Sequence, residues 1–233
     1  MNKLYNIDNM EFMQDKLDNF YDLAVVDPPY GIHDKISDIK RKSSQKNKKK
    51  FADMYDKKQW DKKRADKKYF DELFRISKHI IICGGNYFTD FIPPSRGWIL
   101  WDKMGEGLTC VNDELIYTNF DLAIKTFSRC HGLDKGFMNK EGANIHPTQK
   151  PVALYKWLLT NYAKPGFKLL DTHSGSGSFR IAAYDMGFDL DSCELDADYC
   201  RDNEARYQQH IQQNELFSKE AIQENIYSQK ELI

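Results

Sequence analysis

The sequence has no apolar run near the ~18 residues a membrane-spanning helix requires, and its opening, MNKLYN, turns polar too soon for a secretory signal. Cysteine is sparse and odd in number: Cys83, Cys110, Cys130, Cys193 and Cys200, with no Cys-x-x-Cys pair. That spacing argues against a disulfide framework and a structural zinc site, and fits a reducing cytoplasm. There is no internal repeat, and the net charge is only −1. Secreted and membrane classes are excluded on this reading.

What remains is ordinary in bulk and uneven in detail. The 233 residues, 41% hydrophobic and 30% charged, suit one domain, residues 1–233, with a sizeable core. Between Asp34 and Lys68, however, stand 15 Lys/Arg and 6 Asp/Glu, a local charge of +9, which leaves −10 elsewhere. A polyanion would be drawn to this stretch and repelled by much of the rest. A solvated loop whose lysines only keep it soluble is the plainer alternative.

Strands and helices alternate. Short apolar runs at 4–7, 22–26, 79–83, 98–101, 121–127, 167–170 and 190–193 read as strands, with 98–101 and 121–127 as an antiparallel pair. Helical spacing predicts helices over 10–17, 69–77, 87–92, 152–163, 178–186 and 197–212, and a tail low in apolar content beyond them. This alternation implies an open α/β sheet, mostly parallel, covered by helices on both faces. Ligands in such sheets bind at the carboxyl ends of the strands, where strand order reverses.

Three motifs sit at predicted strand ends or beside them. Asp27-Pro28-Pro29-Tyr30 ends the second strand. It is a rigid turn at least. It also suits one particular chemistry. The amine on a nucleobase is a poor nucleophile, because its lone pair is delocalised into the ring. Acceptors set against its two N–H bonds, the Asp27 carboxylate and the Pro28 carbonyl, would favour a tetrahedral nitrogen. Tyr30 offers a ring for an extruded base to stack on. The second motif, 171–177 (DTHSGSG), is a glycine-rich strand–helix turn in which only Gly175 and Gly177 of the dinucleotide fingerprint are present. Glu194 follows 17 to 19 residues later, where an acidic residue accepts from ribose hydroxyls. The third, 146–151 (HPTQKP), alone could be a loop capping a helix, and gives His146 no proton-transfer role.

Together, DPPY, then HPTQKP, then D-x-x-x-G-x-G resemble the β-class DNA amino-methyltransferases, which are S-adenosylmethionine-dependent. The resemblance spans nearly the whole chain, from Leu4 to about Gln209. It implies a Rossmann-like, seven-stranded, mostly parallel sheet with one antiparallel strand, the base-binding motif preceding the cofactor motif (a circular permutation of the class I methyltransferase order). It implies a target-amine site at Asp27, Pro28, Pro29 and Tyr30. Asp27 would also border the cofactor, with His146, Thr148 and Lys150 beside its methionine part. Asp171, Ser174, Gly175, Ser176 and Gly177 would hold the amino-acid end, Glu194 the ribose, and Asp8 would lie near the adenine. One departure stands out: many relatives carry Pro-Phe where this chain has Thr172-His173.

The resemblance further implies methyl transfer to double-stranded DNA, without a metal, on a base that has left the stack. Aspartate rather than serine at the head of the motif favours adenine N6. Cytosine N4 and adenine in RNA remain as alternatives, and a non-catalytic DNA-binding module is a more distant one. A glutamine-modifying protein methyltransferase would carry Asn-Pro-Pro-Tyr, and a ring-carbon methylase a Pro-Cys pair. This chain has neither. The basic insertion 32–68 is expected to be mobile and to grip DNA phosphates, through Lys48, Lys49, Lys50, Lys62, Lys63 and Arg64, with Arg129 adding to them. The candidate target-recognition segment, 129–145, is too short for a recognition domain, so short or relaxed sequence specificity is expected. A homodimer and a restriction–modification setting are compatible with this family.

Overall fold

The computed structural model describes residues 1–32, 63–104, 113–129 and 149–230, without the side chains of 215 and 217–230. Eight strands are found among these residues: β1 (Asn2–Asn6), β2 (Tyr21–Val26), β3 (Ser77–Ile82), β4 (Trp98–Asp102), β5 (Glu114–Thr118), β6 (Lys125–Ser128), β7 (Lys168–Asp171) and β8 (Asp189–Glu194). They form one sheet in the order β1-β8-β7-β2-β3-β5-β4-β6. Only β5 runs against its neighbours; every other pair is parallel. The Rossmann-like plan with one antiparallel strand is therefore present, with one strand more than the resemblance implies.

Two expectations need correction. The runs near 98–101 and 121–127 pair in parallel, as β4 and β6. The antiparallel strand between β3 and β4 is Glu114–Thr118, which the hydrophobic pattern does not signal, because it opens on a charge and turns Leu115 outward. The predicted helix 87–92 is instead a single 3₁₀ turn, Gly85–Tyr87, entered through left-handed Gly84 (φ 61°). Too few residues separate that turn from Pro93-Pro94 for a longer helix to form.

Helices α1 (Asn9–Gln14), α2 (Lys67–Ile76), α3 (Val152–Tyr162), α4 (Ser178–Asp185) and α5 (Ala197–Lys230) are described. Side chains alternate across a strand, so β2 feeds two cores. Leu23 and Val25 join Leu154, Leu158, Phe179 and Ala182 on one face; Ala24 and Val26 join Phe12, Phe70, Leu73 and Ile80 on the other. Burying a large apolar side chain contributes about 1.5–3 kcal/mol, so β2 is pinned from both sides. From β2 the chain steps to β3 in one direction, while β7 steps to β8 in the other. Strand order thus reverses between β2 and β7. Register pairs Leu23 with Leu169 and Ala24 with Leu170, so the two strands end side by side.

Candidate active site

The carboxyl ends of β1, β2, β7 and β8 enclose a cleft of about 400 Å³, a volume suited to a small-molecule cofactor. Its walls come from four strand ends: Asp8 and Asn9, Asp27 and Pro29, Thr172 and His173, then Glu194, Leu195 and Tyr199.

Behind Glu194 lies the glycine-rich turn, which borders the cleft only through Thr172 and His173. Gly175 N–H donates to Glu194 Oε2 at 2.8 Å, and Asp196 N–H donates to Oε1 at 2.9 Å. Burial nevertheless raises the Glu194 pKa above the ordinary carboxylate value. The turn closes through Ser174 N–H to the Cys193 carbonyl and Gly177 N–H to the Ser174 carbonyl. It is clamped from behind by α5: Asn203 donates to Ser174 Oγ (2.9 Å) and to the Gly175 carbonyl (3.2 Å), and Arg206 donates to the Ser176 carbonyl and Ser178 Oγ. Ser174 and Ser176 are thus buried under α5 and do not line the cleft. Asp171 is buried as well, accepting from His173 N–H, and burial pushes its pKa up to about 8.

Thr172-His173 keep the turn intact and add a relay. Asn9 Nδ2 lies 2.9 Å from His173 Nε2, and Thr172 Oγ1 lies 2.9 Å from Nδ1 and 2.6 Å from Tyr69 Oη. Burial lowers the His173 pKa to about 4, so the ring is neutral. An amide NH₂ only donates, which makes Nε2 the acceptor and puts the proton on Nδ1. Asp8 lines the cleft as expected, and it also caps α1 by accepting from Met10 and Glu11 N–H.

At the other end, Asp27 Oδ1 accepts from Tyr30 Oη at 2.6 Å and pairs with Lys150 Nζ at 2.6 Å. Lys150 also lies 3.1 Å from Tyr30 Oη and 3.3 Å from Glu114 Oε1, while Lys103 holds Glu114 Oε2 at 3.2 Å. Lys150 is 5% exposed, Glu114 12% and Asp27 21%. Burial works against the Lys150 charge, but the two carboxylates outweigh it and hold its pKa above the usual lysine value. The Tyr30 ring stacks on Tyr87 (centroids 4.8 Å apart, 12° between planes) and is packed by Gly84. Lys150 is thus turned to Asp27 and is not among the described residues that line the cleft.

Of the expected DNA-contacting residues, Lys63 is exposed. Arg64 forks onto Asp90 (2.7 and 3.1 Å), donates to the Tyr87 carbonyl and lies over Phe91. Arg129 joins the β4–β6 edge through its backbone, its N–H donating to the Asp102 carbonyl. Lys48, Lys49, Lys50, Lys62, His146 and Thr148 lie outside the described residues, as do most of 32–68 and all of 129–145 but Arg129. Sequence reasoning missed Asn9, Glu114 and Lys103. They belong to no motif and reach the site only through the fold.

A mostly parallel sheet with a cofactor-sized cleft at its switch point, bordered by a carboxylate-bearing Pro-Pro turn, defines a Rossmann-like fold of the class I methyltransferase type. Residues 93–205 match the DNA methylase family of N6 and N4 methyltransferases. Together with the motifs already described, this match makes the chain similar to the S-adenosylmethionine-dependent DNA amino-methyltransferases. Its fold is similar to that of the M1.HpyAVI–SAM complex (16% identity, TM-score 0.55, 88% of this chain and 100% of that one). TTHA0409 from Thermus thermophilus is alike too (15%, 0.56, 91% and 96%), as is the cytosine-N4-specific PvuII DNA methyltransferase (12%, 0.53, 88% and 86%).

Proposed function

We propose that the protein transfers the methyl group of S-adenosylmethionine to the N6 amine of adenine in double-stranded DNA. The observation that carries this reading is that one cleft is lined both by Asp27 and Pro29 and by Glu194, whose carboxylate is held by Gly175 N–H, so methyl donor and target amine would meet at one place. Glu194 has lone pairs left for the ribose hydroxyls, and Leu195, 69% exposed, offers an apolar face to the adenine ring of the cofactor. The sulfonium makes the methyl carbon electrophilic. The Asp27 carboxylate and the Pro28 carbonyl would accept from the two amine N–H bonds and free the nitrogen lone pair from conjugation, and what remains is to hold amine, carbon and sulfur in line. The lone pair then forms the N–C bond as the C–S pair returns to sulfur, and one N–H proton leaves by way of Asp27 to solvent. Asp8, His146, Thr148 and Asp171 complete the cofactor's surroundings in this reading, and Tyr30 faces the base.

DNA contact is assigned to the basic insertion. Its two ends meet beside the motif: Ala65 N–H donates to the Pro29 carbonyl at 3.2 Å, and a Cβ on Gly31 would lie 3.0 Å from Arg64. Lysines on that loop would reach phosphates flanking an extruded base and supply affinity without base discrimination. The aspartate heading the motif favours adenine, and PvuII carries cytosine-N4 specificity on the same fold. Incubation with labelled S-adenosylmethionine and varied duplexes, followed by nucleoside analysis, separates the two. N6-methyladenine is expected; N4-methylcytosine would overturn the assignment of the base.

A further inference from the structure

An Asp27 carboxylate oxygen, the Cys83 thiol and a Glu114 carboxylate oxygen lie within 4.8 Å of one another, a donor set that would attract a cation. A cation is already there. The Lys150 ammonium sits 2.6 Å from Asp27 and 3.3 Å from Glu114, nine-tenths or more withdrawn from solvent. Its contact and that of Tyr30 both fall on Oδ1, and Oδ2 accepts no hydrogen bond from the described residues.

We propose that Lys150, anchored by Glu114, is a positioning residue for the methyl-transfer step: it holds the Asp27 carboxylate turned so that Oδ2 faces the target amine. This rests on the reading of Asp27 as the amine acceptor. A fixed carboxylate is what the step needs, since the amine N–H must meet its acceptor at a set distance and angle. Without the ammonium, the carboxylate would keep, among the described residues, only the Tyr30 hydroxyl on Oδ1 and would be free to turn. The groups that face Asp27 are Tyr30 beside it, Tyr69 from α2, Cys83 after β3, Glu114 on β5 (itself held by Lys103 after β4), Lys150 and Tyr155 from the α3 side, and Asp171 at the end of β7. The tyrosine and cysteine pKa values are all raised by burial, so these groups stay neutral, and Lys150 is the cation in direct contact with Asp27.

The test uses the full chain, duplex DNA and S-adenosylmethionine. Lys150→Met should lower kcat by about 10²-fold, the cost of a misplaced reacting group, with cofactor Kd unchanged. Lys150→Arg, which keeps a cation against Oδ1, should recover most of that loss. Glu114→Gln, which loosens the anchor, should lower kcat by a smaller factor, again with cofactor Kd unchanged. If Lys150→Met fails to fold, Glu114→Gln decides by the same split between kcat and Kd. An unchanged kcat in both variants, or a loss that appears as weaker cofactor binding, overturns the proposal. If Asp27→Ala retains methyl transfer, the underlying reading fails instead, whatever Lys150 does.

Discussion

Tyr30 is fixed at three points: its hydroxyl on Asp27, its ring on Tyr87, and its edge against Gly84. A methyl group on Gly84 would stand 2.5 Å from two Tyr30 ring atoms, at a φ of +61° that side chains rarely adopt. Gly84→Ala should therefore push the ring aside and cut kcat by an order of magnitude or more, with cofactor affinity retained. Steady-state kinetics beside calorimetry checks this. His173 carries a pH signature of its own. Its pKa, near 4 in the folded chain, lies below the ordinary value of 6.5. The unfolded chain therefore binds the extra proton first as pH falls. His173 contributes stability present above 6.5 that is lost progressively toward 4 and levels off below it. His173→Gln should flatten urea-unfolding stability across that window; an unchanged slope would show the imidazole to be solvated. Asp27, Tyr30 and Glu194 are legible in the sequence as candidates because chemistry restricts which side chains can do the proposed work, and the fold places Asp27 and Glu194 on one cleft with Tyr30 bonded to Asp27. Glu114 is not: a carboxylate opening a short strand looks like any surface acid until the fold brings it within reach of Lys150.

At the scale of elements, the glycine-rich turn depends on α5. A Cβ on Gly177 would meet Asn203 Oδ1 at 2.4 Å, and the φ there is +75°. Gly177→Ala should cost about 1–3 kcal/mol through backbone strain and weaken cofactor binding together with stability. Asn203→Ala, in contrast, removes the clamp on Ser174 and Gly175 while leaving the backbone unstrained. It should raise the cofactor Kd several-fold with kcat at saturation little changed, and parallel losses in both variants would argue against that division. Element type followed from the sequence wherever apolar residues repeat at a clear period, as along β2 and α2. The reading failed at β5, where Glu114 and exposed Leu115 precede three buried residues, and at the turn beginning with Gly85, where Gly84 and the two prolines leave no room for a helix. The pairing of β4 with β6 was misread because neighbours in sequence suggested a hairpin. Instead β5 crosses to the opposite side of β4.

For the whole molecule, the charge distribution matters more than its sum. The stretch between Asp34 and Lys68 carries +9 on a chain of net −1, and its ends close beside the Pro-Pro turn. Attraction to DNA should thus be local, delivering the duplex to the cleft mouth while the remaining surface repels it. Binding measured between 50 and 200 mM salt should fall with a slope of about one unit per phosphate contacted. Charge-neutral substitutions in Lys48, Lys49 and Lys50 should reduce that slope and raise the KM for DNA, with kcat nearly constant. A salt-independent KM would place the DNA elsewhere.

At the centre of the proposed chemistry, Asp27 would activate an exocyclic amine without taking part in holding the methyl donor's ribose or adenine. Asp27→Ala, assayed side by side for labelled methyl transfer to duplex DNA and for S-adenosylmethionine binding by calorimetry, tests that role directly. Loss of transfer with cofactor affinity within a few-fold of wild type is the expected result; transfer that persists at the wild-type rate would contradict it.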